Sequence, residues 1–236
     1  MAPDSLTTVQ KKLGVRFKDD SLLRTALVHR SYLNENRNFD LPQNERLEFL
    51  GDAVLELVVT DHLYRTYDYP EGELTSLRSA LVRGERLAVV AEELGLGQAL
   101  LMSKGEEKSG GRQRSALLAN ACEAVIGAIY LDQGYGVAKD FIHRKIITAL
   151  ETIIAEESHR EPKSLLQELA QEKLGKTPRY RVLDEHGPDH AKHFTVSVGV
   201  GDNKLGEGKG TSKQLAERAA AEDALAKGVK KRPKDS

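Results

Sequence analysis

Apolar residues recur at helical spacing from Leu6 to Tyr32 and again from Asn44 to Tyr64, with the polar loop NENRNFDLPQ at 34–43 between them. An amphipathic helix buries one face, so this recurrence predicts two helices. The same period continues in YPEGELTSLRSALVRGERLAVVAEELGLG, where Leu74, Leu77, Leu81 and Val82 share a face and Gly95 with Gly97 ends a further helix. Residues 101–114, LMSKGEEKSGGRQR, read as a polar, glycine-rich loop. An apolar run from Ala116 to Leu131 follows, then another helix at about 137–155. Everything up to residue 156 is therefore expected to be all-α.

The period changes after EESHREP at 156–162. A helix at 163–174 gives way to alternating runs, RYRVLDEHG, KHFTVSVGV and KLGEGKG, and then to an alanine-rich helix from Ser212 to Ala226. This order, α-β-β-β-α, predicts a small α+β domain over 162–230 behind an all-α domain over 1–156. The lysine-rich end, KGVKKRPKDS, has the composition of an unstructured tail.

Charge divides along the same boundary. Residues 1–161 carry 20 Lys and Arg against 25 Asp and Glu, and residues 162–236 carry 15 against 11. The second unit is the candidate for a polyanionic partner. The single cysteine, Cys122, lies inside the apolar run and cannot close an intramolecular disulfide. No run reaches the roughly 18 uninterrupted apolar residues of a membrane span, and the amino terminus MAPDSLTTVQKKLG lacks an apolar signal core. The expectation is a cytoplasmic protein without a membrane partner.

Two segments carry candidate chemistry. In NERLEFLGDAVLELVV, Glu45, Glu48 and Asp52 fall within about 60° of one another around the helix, while Leu47, Leu50, Val54, Leu57 and Val58 fill the opposite side. In LLANACEAVIG the strongly polar residues are Asn120 and Glu123, which share a face. A carboxylate in an apolar run is costly without a partner. If the two helices pack side by side, Glu123 and Asn120 meet Glu48 and Asp52, and converging carboxylates call for a cation. All-oxygen donors select a hard ion such as Mg²⁺ or Mn²⁺, which activates water and polarises phosphate. No Cys/His or Ser/His/Asp nucleophile arrangement competes with this hydrolytic reading.

These residues resemble bacterial ribonuclease III. NERLEFLGDAVL at 44–55 is similar to that family's signature helix, and HRSY at 29–32, EG at 71–72, LVRG at 81–84, KSGG at 108–111 and EAVIGAIYLD at 123–132 follow in the family's order. The resemblance implies metal-site roles for Glu48, Asp52, Asn120 and Glu123, with Asp52 and Glu123 nearest the chemistry. It implies further cleft acids at Glu45 and Glu71, and a homodimer in which Phe49 inserts into the partner subunit. Glu56 matches no metal position and is expected to be solvated or salt-bridged; His29 is expected to be a structural histidine. Asn120 stands where most of the family has aspartate, so the site is expected to bind metal more weakly.

The second unit resembles a double-stranded-RNA-binding domain, which reads A-form shape through minor-groove 2′-hydroxyls and flanking phosphates. The resemblance implies groove contacts from Ser164, Gln167, Glu168 and His190. Phosphate contacts are expected from Lys209, Ser212 and Lys213 at the start of the last helix. The implied activity is Mg²⁺-dependent endonucleolytic hydrolysis of double-stranded RNA, leaving 5′-phosphate and 3′-hydroxyl ends, on ribosomal RNA precursors and structured messenger RNA. The alternative is a catalytically weakened double-stranded-RNA-binding protein.

Overall fold

A computed structural model describes residues 3–155, 162–188 and 192–228. The chain divides into two compact units, Met1–His159 and Arg160–Ser236. The first is all-helical: α1 Pro3–Leu13, α2 Asp20–Ala26, α3 Arg30–Glu35, α4 Glu45–Thr66, α5 Glu71–Val82, α6 Gly84–Leu94, α7 Leu96–Ala99, α8 Lys104–Lys108, α9 Ser115–Gln133, α10 Tyr135–Lys145 and α11 Leu150–Ala155. The second has α12 Pro162–Leu174, β1 Arg179–His186, β2 His193–Val200, β3 Asn203–Gly210 and α13 Lys213–Lys227.

Three expectations about helix extent need correction. The stretch from Leu6 to Tyr32 forms three helices instead of one. Gly14, at φ +66°, ends α1, and the amide groups of Lys18 and Asp19 donate to the Asp132 carboxylate at 2.8 Å each. Asp19 then caps α2 by accepting from Ser21 N. Residues 101–114 are not a plain loop. Ser103 caps α8, and the Arg112 guanidinium donates to the carbonyls of Gly97, Gln98 and Leu100 at 2.8, 3.2 and 3.0 Å. These contacts supply order where the composition signals a polar, glycine-rich loop. Finally, 137–155 is broken by a 3₁₀ turn at Ile147–Ala149.

The core of the first unit is built around α9, which packs against α2, α4, α6 and α10. This helix has the length and apolar content of a membrane span. Its Leu118, Ala121, Cys122, Val125, Ile126 and Ile129 are all buried by its own unit, as in the central helix of a globular core. On α4 the buried positions are Leu47, Gly51, Val54, Leu55, Val58, Val59 and Leu63. Leu57, expected on that side, is 57% exposed. The helix instead turns Gly51 and Leu55 inward, and at Gly51 α9 approaches too closely for a larger residue.

That approach leaves no room for a methyl group. A Cβ on Gly51 would stand 1.8 Å from the Glu123 carbonyl oxygen, and one on Gly127 would stand 2.3 Å from the Leu47 carbonyl oxygen. Small residues thus let the two backbones touch over one helical turn.

In the second unit an antiparallel sheet of order β1-β2-β3 carries α12 and α13 on one face. The same small-residue device recurs there. Gly206, Gly208 and Gly210 of β3 face Ala216, Ala220 and Ala224 of α13, and a Cβ on Gly208 would lie 2.1 Å from Ala220 N. Glycine and alanine surfaces let helix and strand meet nearly backbone to backbone.

Overpacking a tight core costs about 1–3 kcal/mol and at times more. Gly51→Ala is therefore expected to destabilise the chain by at least about 2 kcal/mol in chemical denaturation. Gly136→Ala on α10, where an added Cβ meets nothing within 4 Å, should stay within about 0.5 kcal/mol of the parent. Equal midpoints for the two variants would remove the close crossing as a determinant of stability.

Candidate metal and RNA sites

The acidic site grows out of the α4–α9 crossing. Asn44, buried just before α4, donates from its side chain to Ala26 O at 3.2 Å, and its backbone N–H bonds to Val28 O at 2.9 Å. This pins the start of α4, whose next turn carries Glu45 and Glu48. With Gly51 against Glu123 and Gly127 against Leu47, the registers of α4 and α9 are locked. Glu48 and Asp52 then lie beside Asn120 and Glu123.

The electrostatics follow from that juxtaposition. Burial pushes the Glu123 carboxyl up to about 7, with the charges of Asp52 and Glu48 adding to the effect. Glu48 is also raised, by burial first and then by Glu45 and Asp52, against a hydrogen bond from Asn120 that favours its charged form. Glu45 is exposed, accepts from Gln43 Nε2 at 3.0 Å and lies 4.0 Å from the Arg30 guanidinium. A cleft of about 280 Å³ opens beside Glu45, Glu48 and Asn120, lined also by His29, Arg30 and Asn44, with Asp52 and Glu123 outside its lining. The donor set is one amide and the carboxylates of Glu48, Asp52 and Glu123. Burial with neighbouring negative charge raises the proton affinity of Glu48 and Glu123, an arrangement that suits a hard divalent cation. Among the described residues, no three His, Cys, Asp or Glu side chains stand together closely enough to enclose an ion by themselves.

Other candidate residues fall elsewhere. Glu71 opens α5 and lines a separate depression with Thr60, Tyr64, Leu74 and Arg78, so this chain does not bring it to the Glu48–Glu123 cluster. Glu56 pairs with Arg78 at 3.1 Å. His29 caps α3 through Ser31, with its Nδ1 2.8 Å from Ser31 Oγ, and burial lowers its proton affinity. Cys122 is buried and its thiol pushed up to about 12, mainly by burial.

Phe49 is 80% exposed. With Leu57 and Tyr64 it forms an outward apolar stripe along α4, spaced at two helical turns. Sequence reasoning missed Leu57 and Tyr64 as part of this stripe. The available signal was that α4 carries more apolar residues than one face can bury.

On the second unit, Ser164, Gln167 and Glu168 are exposed on α12 while Leu166 and Ala170 face the core. Ser212 caps α13, its hydroxyl accepting from Leu215 N at 3.2 Å. Lys213 lies 3.6 Å from the Glu185 carboxylate and 5.6 Å from the Phe194 ring centre. Lys209 is not beside them: it pairs with Thr195 on the sheet, pointing away from the side where Gly208 and Gly210 meet α13. His190 lies outside the described residues.

Known proteins match both units. A family described as ribonuclease-III-like matches residues 19–150, and the double-stranded RNA binding motif matches residues 162–227. A Ribonuclease 3 of Pelotomaculum thermopropionicum is 46% identical over 227 residues, covering 96% of this chain and 94% of that protein. One from Protochlamydia amoebophila is 48% identical, covering 93% and 90%. Among solved structures, the nuclease domain of ribonuclease III from Campylobacter jejuni, described with a region involved in dimer formation, superposes with a TM-score of 0.55 at 42% identity, covering 60% of this chain and 95% of that one. An all-helical unit with a close α4–α9 crossing, followed by an α-β-β-β-α module and matched over nearly its whole length, shows that the chain belongs to the ribonuclease III family.

Proposed function

We propose that the cluster formed by Glu48, Asp52, Asn120 and Glu123 holds Mg²⁺, or Mn²⁺ in its place, in an endoribonuclease that hydrolyses double-stranded RNA. Family membership implies use of a divalent metal ion. What supports this particular site is the convergence of Glu48, Asp52 and Glu123, with the Glu123 carboxyl raised to about 7 by burial and its neighbours' charge. When bound, a hard divalent ion supplies Lewis acidity, acidifying water and offsetting the charge that develops on phosphate oxygens. Asp52 and Glu123, one from each helix, are placed nearest the reacting phosphate. Asn120 orients Glu48 through its hydrogen bond and offers an amide oxygen as a neutral donor.

The exposed Phe49–Leu57–Tyr64 stripe supports a homodimer in which Phe49 is the anchor. The second unit supplies affinity for A-form shape through α12, the β1–β2 connection and the start of α13. Products carry 5′-phosphate and 3′-hydroxyl ends, and the natural substrates are ribosomal RNA precursors and structured messenger RNA in the cytoplasm. A second reading, an RNA-binding protein with weakened catalysis, draws on Asn120 alone.

Protons report on the site without RNA. An unfolded glutamate titrates near 4.5, and folded Glu123 near 7. As pH rises between those values the unfolded chain has lost this proton and the folded chain has kept it, so stability falls across the window and levels off above it. Binding a divalent ion displaces the proton, so metal affinity rises with pH up to about 7.

In metal-free buffer, melting temperature should therefore decline from pH 4.5 to 7 more steeply for the parent than for Glu123→Gln; parallel pH profiles would detach the raised proton affinity from Glu123. With a long duplex and Mg²⁺, the parent should cut both strands, and Glu123→Gln should lose cleavage while gel-shift affinity stays within about twofold. Binding by the parent without cleavage at any Mg²⁺ or Mn²⁺ concentration would leave the RNA-binder reading standing. Asn120→Asp adds a charged donor and should lower the Mg²⁺ concentration for half-maximal cleavage, an effect absent if residue 120 makes no contact with the ion.

A further inference from the structure

The sheet of the second unit has two faces, and α12 and α13 cover one of them, taking Phe194, Val196 and Val198 from β2 and the glycines of β3. The other face carries polar side chains in rows set by strand register. Arg179 lies opposite Gly199, which lies opposite Lys204; Arg181 lies opposite Ser197, which lies opposite Glu207; Thr195 lies opposite Lys209. This is the face to which Lys209 belongs.

Charge on this unit is distributed unevenly. Lys163, Lys192, Lys213, Arg218 and Lys227 each lie against a carboxylate, and Glu185 serves both Lys192 and Lys213. On the open sheet face Lys204 is paired with Glu207. Among the described residues, Arg179, Arg181 and Lys209 form no ion pair. Lys209 already lies in the field of Glu207, and Lys173 and Lys176 at the end of α12 also form no ion pair among the described residues. What distinguishes the open face is therefore Arg179 and Arg181 standing together.

The face is also shaped. A depression of about 180 Å³ is lined by Arg179, Arg181, Ser197, Gly199, Asn203 and Lys204, together with Asp202 of the β2–β3 turn. Its floor is low because Gly199 has no side chain; a Cβ there would stand 2.6 Å from Asn203 O. Arg179 and Arg181, two residues apart on one face of a strand, are separated by about 6.6 Å, enough to engage separate phosphates. Guanidinium forks match phosphate oxygens in a bidentate way that a lysine cannot. Asp202 borders the depression, while Glu207 and Asp184 lie further across the face, in the rows of Arg181 and Lys209.

We infer that this open sheet face is a second contact surface for RNA, holding strand phosphates through Arg179 and Arg181. The inference rests on the RNA-binding reading of the second unit and extends it. Because the helices and the open face lie on opposite sides of the sheet, the RNA held here is a different segment from the one seated on α12 and α13. A long or folded substrate bound on the helix side brings such a segment to high local concentration, so weak contacts suffice.

The test compares the full-length parent with Arg179→Ala/Arg181→Ala and with Arg179→Lys/Arg181→Lys, using EDTA to prevent cleavage. Equilibrium binding is measured across a salt series for a long duplex and for a duplex of about 16 base pairs, the span of one such module. Each lost phosphate contact reduces the slope of log affinity against log salt by about 0.7–0.9. On the long duplex the alanine pair should therefore flatten the slope by about 1.4–1.8, and the lysine pair should restore most of it, which a folding defect would not allow. On the short duplex the alanine pair and the parent should agree. Equal slopes on the long duplex overturn the inference, as does an equal loss on both duplexes, which would place Arg179 and Arg181 on the same segment as α13. Failure of the parent to bind either RNA would instead overturn the RNA-binding reading itself.

Discussion

Two helices meeting without side chains between them underlie the first unit. At Gly51 and Gly127 the backbones of α4 and α9 come within a distance that admits no methyl group. The acidic cluster of this unit depends on it: a wider crossing separates Glu48 and Asp52 from Asn120 and Glu123, and takes away both the burial that chiefly raises Glu123 and the neighbouring charges that add to it. Rigid placement on helices also suits catalysis, where small displacements of reacting groups are costly. The buried Asn44 contributes by fixing where α4 begins.

The crossing carries an energetic burden. Mutually repelling carboxylates in a half-buried site oppose folding, and the surrounding core compensates: the apolar residues of α9 from Leu118 to Ile129 are buried, and the helix bears on α2, α4, α6, α7 and α10. Stability is thus concentrated next to the groups that spend it, a pattern expected where a site is held in a geometry its own charges disfavour.

Much of this was legible in the residues, for physical reasons that also explain the misses. Helical period and the change to alternation after residue 162 mark both units, because burial on one face imposes those periods. The carboxylates of α4 and the polar edge of α9 are legible because a charge in an apolar run needs a reason. Leu57 was misplaced because α4 has two apolar stripes, one for the core and one left outward with Phe49 and Tyr64, and periodicity alone does not say which stripe faces in. The break at Gly14 had a local signal in the glycine itself, whereas the path of Lys18 and Asp19 and the ordering of 101–114 depend on bonds to Asp132 and from Arg112 that no local pattern contains. Lys209 reads as a neighbour of Lys213 along the chain, yet strand alternation sends it to the opposite face.

The glycine–alanine contact between β3 and α13 has a consequence for how the second unit tolerates change. Since Gly206, Gly208 and Gly210 meet Ala216, Ala220 and Ala224 almost backbone to backbone, the position of α13 is set by main-chain atoms and not by a jigsaw of large side chains. Surface residues on either face of the unit are thereby free to vary without moving the helix. Ligand preference and scaffold geometry become separable, and a new contact surface costs the fold little.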